Sequence, residues 1–135
     1  MEARAFDHHE LTQSIIGAFY AVYNHFGFGL IESLYASALT SELRRRGHAV
    51  AREVRIPVHY RGEEIGHQRL DIVVDDAVVV EVKSTSELHA NARRQLICYL
   101  HATQYRVGLL LHFGPAPKVY RLYGPGGPFR IASLK

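Results

Sequence analysis

Three charged side chains interrupt what would otherwise be the most apolar stretch of the chain. The segment Arg69-Leu70-Asp71-Ile72-Val73-Val74-Asp75-Asp76-Ala77-Val78-Val79-Val80-Glu81-Val82-Lys83 reads as two Val- and Ile-rich strands joined by a turn. Asp71, Glu81 and Lys83 fall inside the strands, not in the turn. A charge withdrawn from water is costly unless it is paired or bound to a cation. Alternate residues of a strand share a face, so Glu81 and Lys83 point the same way. Asp71 joins them if it pairs opposite Glu81. That register sets Val74 against Val78 and leaves Asp75-Asp76-Ala77 as the loop. A tight Asp75-Asp76 turn would instead send Asp71 to the other face unless a bulge corrected it. A Lys83 ion pair with one carboxylate accounts for part of this patch, but one Lys cannot neutralise two acids. Two carboxylates, a backbone carbonyl and waters suit Mg²⁺. A Lys beside them can orient a water or steady a phosphate.

The remaining chain supplies helices and strands around this hairpin. Leu11, Ile15, Phe19, Val22, Tyr23 and Phe26 recur at helical steps. Asp7 is placed to cap this first helix, with Glu10 at its third position and Phe6 and Leu11 as a hydrophobic staple. Gly27 and Gly29 stop it. A second helix runs from about Ile31 to Arg46 and ends at Gly47, with Arg44–Arg46 suiting the negative end of its dipole. Val54–Tyr60 is a strand and Arg61–Glu64 a turn. Ser84 or Thr85 caps a third helix over about Glu87–Ala102. Arg106–Phe113 is apolar throughout, as in a strand buried on both faces. Pro115 and Pro117 break it, Val119–Tyr123 is a last strand, and Gly124–Pro128 is loop. The order α-α-β-β-β-α-β-β implies an α/β fold with a mixed sheet flanked by helices, formed by one domain over residues 1–135.

Two helices carry polar groups toward the hairpin. Gln95 and Tyr99 share a helical stripe with Leu88 and Ala92, and that stripe should face the sheet. A Gln bonded to a strand-end carbonyl and a Tyr filling the core would also explain the pair. Glu32 shares a stripe with Tyr35, Leu39 and Leu43. Its place in the first turn makes an anion locally favourable, but an acid aimed at two more acids needs a cation or a proton. Glu32 is therefore expected to approach Asp71 and Glu81, directly or through water, and at least one of the three should have a raised pKa without metal.

Composition narrows the classes. With 47% hydrophobic and 21% charged residues, the 135-residue chain is of ordinary globular type. Its apolar runs are far shorter than the roughly 20 residues of a membrane span. The N-terminal residues lack an apolar signal region, and the expected location is cytoplasmic. One Cys excludes an internal disulfide or a four-Cys cluster; Cys98 reads as a small packing residue. The nine His show no metal-ligand spacing. A net charge of +3 permits a polyanionic partner without demanding one. Arg44–Arg46 and Arg93-Arg94 suit either solvated helix faces or phosphate contacts.

These residues together resemble the GxxExxY family, through Gly29, Glu32 and Tyr35, and with it the PD-(D/E)XK (restriction-endonuclease-like) nuclease superfamily. Asp71 matches the superfamily's first acid and Glu81-Val82-Lys83 its (D/E)-x-K. Gln95-x-x-x-Tyr99 matches the Q-x-x-x-Y of its exonuclease branch. Leu70 stands where Pro is common, and His112 where Asn is expected; neither removes a ligand. The resemblance implies hydrolysis of DNA phosphodiesters with Mg²⁺ or Mn²⁺. Asp71, Glu81, the Val82 carbonyl and Glu32 would hold the metal. Lys83 would orient the attacking water, Gln95 would position water or strand, and Tyr99 would support the site. The partner would be DNA, with a second copy or a protein partner adding grip. The alternatives are a non-catalytic nucleic-acid- or protein-binding module, or an interaction protein with a structural acid–Lys cluster.

Overall fold

The computed structural model describes residues 8–124. The proposed Asp7 cap and Phe6 staple, and all but the first residue of the Gly124–Pro128 loop, lie outside them. The elements follow the expected order: α1 (His9–Phe26), α2 (Glu32–Arg45), β1 (Val50–Tyr60), β2 (Glu63–Val74), β3 (Val78–Lys83), α3 (Ala92–His101), β4 (Val107–Phe113) and β5 (Pro117–Tyr123). The strands form one mixed sheet in the order β1-β2-β3-β4-β5. Only β3 and β4 run parallel, because α3 carries the chain across between them. No helix among the described residues is long and apolar enough to cross a membrane.

Two apolar layers enclose the sheet. On one face Ile15, Phe19, Tyr35, Leu39 and Leu43 of α1 and α2 pack on Ile72, Val80, Val82, Leu109 and Phe113. On the other, Leu96, Ile97 and Leu100 of α3 pack on Leu70, Val79 and Leu110. Every residue of β4 is buried, as its apolar composition requires. Helix α2 ends as its sequence indicates. Gly47 takes a positive φ of 91°, and the amides of Gly47 and His48 close onto the carbonyls of Arg44 and Leu43. That is a Schellman cap, which glycine adopts without a Cβ clash.

Helix α3 departs from expectation. It begins at Ala92, not near Glu87, and its N-cap Asn91 makes no side-chain capping bond. Ser84 and Thr85 do not cap it. The Thr85 hydroxyl donates to the Glu87 carbonyl at 2.6 Å, and the Thr85 carbonyl accepts from His112 Nε2 at 2.7 Å. These bonds hold the segment outside the helix, as local side-chain bonds commonly do. The shorter helix presents Ala92, Leu96, Ile97 and Leu100 to the sheet. Gln95 is therefore exposed, not sheet-facing. Cys98 is also exposed and is not a packing residue.

Candidate active site

The β2–β3 hairpin adopts the register that brings the acids together. Val74 pairs with Val78, Val73 with Val79 and Ile72 with Val80, leaving Asp75-Asp76-Ala77 as the loop. The pairs end at Ile72 and Val80, one residue short of Asp71 and Glu81. Beyond that point a side chain replaces the backbone partner: the Val82 amide donates to Asp71 Oδ2 at 3.2 Å. The β1–β2 ladder is broken at the same level. Arg52 pairs with Ile72 and Val54 with Leu70, but Glu53 and Asp71 between them do not pair. Glu53 has a left-handed φ of 52°, uncommon for a residue with a Cβ. Ile72 packs against α1 and α2 whereas Leu70 packs toward α3. The sheet thus changes the face it presents across Asp71, and the carboxylate emerges at the break.

Glu81 sits between Val80 and Val82, which face α1 and α2, so strand alternation directs it to the opposite face. It is 9% exposed. Its Oε1 is buried without a hydrogen-bond partner, and its Oε2 lies 3.9 Å from Lys83 Nζ. Burial first, and then the Asp71 charge, push its pKa up to about 7, against the opposing pull of Lys83. Tyr99 is half-buried. Its hydroxyl pKa is raised by burial and then by Glu81, which places α3's tyrosine within electrostatic reach of the acids.

The Gly29, Glu32 and Tyr35 spacing acquires a physical reason here. Gly29 has a φ of 133°, open to glycine and strained for other residues. The fully buried Tyr35 stacks on Phe113, ring centroids 4.1 Å apart. Its hydroxyl donates to the Gly27 carbonyl and accepts from the Leu30 amide. Tyr35 thus ties down the loop that leads into α2, and Glu32 is the first residue of that helix. Glu32, in the first turn of α2, is exposed and not sealed in the core with Tyr35, Leu39 and Leu43. Its inner side is still desolvated enough to raise its pKa; Lys83 lowers it and Asp71 raises it.

Glu32 and Asp71 line one small cleft, about 130 Å³, together with Arg52, Glu53 and Arg69. Arg52 was not indicated by motif or spacing. Its signal in the sequence is a lone cation in a strand segment, Val50-Ala51-Arg52-Glu53-Val54, that is otherwise mostly apolar. His112, buried beside Lys83 on the β3–β4 ladder, occupies the position where Asn was expected.

The donor set fits a hard divalent cation: two carboxylates at a strand opening, one of them with a buried and unpartnered oxygen. Among the described residues no three His, Cys, Asp or Glu side chains converge closely enough to bind a metal on their own. Direct sharing of a cation by Glu32, Asp71 and Glu81 is therefore not preformed. The structure brings Asp71, Glu81 and Lys83 together, with Glu32 and Tyr99 around them, and leaves Gln95 exposed one helical turn from Tyr99.

The model of the PD-(D/E)XK nuclease superfamily matches residues 9–122, nearly the whole described chain. The chain belongs to the PD-(D/E)XK nuclease superfamily. Among solved structures, this PD-(D/E)XK chain is similar to the crystal structure of SSO0001, with a TM-score of 0.55 and 19% identity. The match covers 97% of this chain and 65% of that one. At that identity the likeness is one of fold. No curated protein matches the sequence.

Proposed function

We propose that this PD-(D/E)XK chain is a nuclease that hydrolyses DNA phosphodiester bonds with Mg²⁺ or Mn²⁺, of the GxxExxY type, acting as one unit over residues 1–135. The observation that carries the reading is Glu81. Its carboxylate is buried with one oxygen unpartnered, beside Asp71 and only 3.9 Å from Lys83. Such a group is destabilising in isolation and becomes favourable when a cation satisfies it. Asp71, Glu81 and the Val82 carbonyl would hold the metal, with Glu32 reaching it through water. A bound divalent ion supplies positive charge at the phosphate and acidifies a nearby water.

The chain's own residues do the rest. Lys83 orients the attacking water and counters charge developing on the phosphate. Asp71 accepts a hydrogen bond from the Val82 amide and so keeps that peptide in place. Tyr99 closes the site from the α3 side, and Gln95 positions the strand from the exposed flank of the same helix. A cytoplasmic location fits a nuclease of this kind. The runner-up, a nucleic-acid-binding module that does not cleave, draws on Arg52, which lines two pockets and can meet an anion without a metal.

Incubation of single-stranded and duplex DNA with Mg²⁺ or Mn²⁺ separates the two. Cleavage is expected, with a loss of at least ~100-fold in Asp71→Ala and Lys83→Ala, the scale of a single electrostatic group. Glu32→Gln is expected to lose less, since it acts through water. DNA binding without cleavage would select the runner-up, and cleavage unchanged in Asp71→Ala and Lys83→Ala would reject the assigned site.

A further inference from the structure

A second pocket, about 590 Å³, lies between the outer flank of α2 and β1. It is lined by Ser37, Thr40, Ser41, Arg44, Arg45 and Arg52, with no acidic residue among them. The α2 residues recur at three- and four-residue steps, so one side of the helix presents them together. Arg44 and Arg45 are accounted for in part by the helix dipole, which favours cations in the last turn. The dipole does not account for Arg52, which enters from β1 and whose buried Nε has no partner. Arg44 uses one nitrogen on the Val50 carbonyl at 3.0 Å and keeps its other donors. Of the acids nearest in sequence, Glu42 pairs with Arg46, and Glu53 lies 3.9 Å from Arg69 in the neighbouring cleft. Three guanidinium groups around one pocket repel each other unless an anion joins them, and the guanidinium fork matches phosphate geometry. Arg52 also lines the cleft that holds Glu32 and Asp71, so its side chain borders both pockets.

We infer that this pocket holds an internal phosphate of the DNA strand whose reacting phosphate lies at Asp71 and Glu81. The inference rests on the nuclease reading and adds to it a direction for the strand, from the acids past Arg52 along α2. Arg52 bridges the two phosphates, and the Ser37 and Ser41 hydroxyls donate to the outer one.

The test is equilibrium binding of fluorescein-labelled single-stranded and duplex DNA to the full chain without divalent metal, from 50 to 200 mM KCl. The Arg45→Gln/Arg52→Gln variant should bind at least ~10-fold more weakly, with a salt slope smaller by about 1–2, as for the loss of one or two phosphate contacts. Arg45→Lys/Arg52→Lys should recover most of the slope. Ser41→Glu, on an exposed position, should weaken DNA binding without touching an arginine. Inorganic phosphate should produce saturable amide shifts over residues 37–52 in the wild type and not in the double Gln variant. Wild-type DNA binding that the double Gln variant and Ser41→Glu leave unchanged would overturn the pocket and spare the nuclease reading. Phosphate saturation with an unchanged DNA slope would make this a free-phosphate site and overturn the strand assignment. No DNA binding by the wild type would overturn this inference, whereas the nuclease reading stands or falls on the cleavage assay with Mg²⁺ or Mn²⁺.

Discussion

At the turn end of the β2–β3 hairpin, Val73, Val74, Val78, Val79 and Val80 are buried and pair in regular order. At the other end, the same two strands part around Asp71, Glu81 and Lys83. The turn end is secured from three sides. Asp75 and Asp76 take left-handed φ values of 52° and 50°, which short polar side chains tolerate better than most. Asp75 accepts from the Ala49 amide and from His48 Nδ1, both at 2.8 Å, and His48 Nε2 meets the Ser14 hydroxyl at 2.8 Å. One histidine thus joins α1, the α2–β1 connection and the hairpin turn. The open end has the reverse character: an unpartnered buried oxygen, a carboxylate with a raised pKa and a broken ladder. The contrast teaches that stability at one end of a strand pair lets the other end keep charges in an arrangement that is unfavourable for folding.

That comparison is sharpest if the ends respond oppositely to substitution. Leu109→Ala, on the strand beside Val80, removes a fully buried side chain and should cost about 2–5 kcal/mol of folding stability. Denaturant unfolding checks it, and a loss below ~1 kcal/mol would show that the closed end is not the stabilising one.

Glu81 should show the opposite. Its folded pKa of about 7 lies above the ordinary 4.5, so between these values the folded chain binds more protons than the unfolded one. The Glu81 contribution to metal-free stability should therefore be fully present below pH 4.5, fall as pH rises, and level off above about 7. The size is of the order of 3 kcal/mol for a shift this large. Glu81→Gln should flatten the profile and raise metal-free stability at pH 8, read by thermal unfolding in chelator. A wild-type profile that rises through this window would contradict the buried, strained carboxylate.

Tyr35→Phe probes the link between the two regimes with the smallest effect. It keeps the ring stacked on Phe113 and leaves the Gly27 carbonyl and Leu30 amide without the hydroxyl. A stability loss of about 1–2 kcal/mol is expected for such a buried bond. Cleavage should fall several-fold, because the loop that sets Glu32 loosens. Unchanged cleavage with reduced stability would limit Tyr35 to packing.

Much of this was legible in the chain itself. Strand alternation and the length of Asp75-Asp76-Ala77 set the hairpin register, because a one-residue slip would bury the wrong face. Apolar composition placed β4 in the sheet interior, and Gly47 marked the end of α2. The grouping of Asp71, Glu81 and Lys83 follows from the same period-two rule, since it is local to two adjacent strands. What lay beyond the sequence depends on partners far along the chain. His112 holds the Thr85 carbonyl from another strand, outside α3, and the stripe that α3 turns to the sheet is Ala92, Leu96, Ile97 and Leu100, which leaves Gln95 and Cys98 exposed. The break at Glu53 and Asp71 belongs to the pairing of β1 with β2 and has no local signature beyond an ordinary acid. Arg52 reaches two pockets because β1 passes beside α2. Short-range periodicity therefore determined the elements and the acid–lysine patch. Only the tertiary structure decided where the sheet opens and which cations line it, because those depend on competition for hydrogen bonds and space between segments distant in sequence.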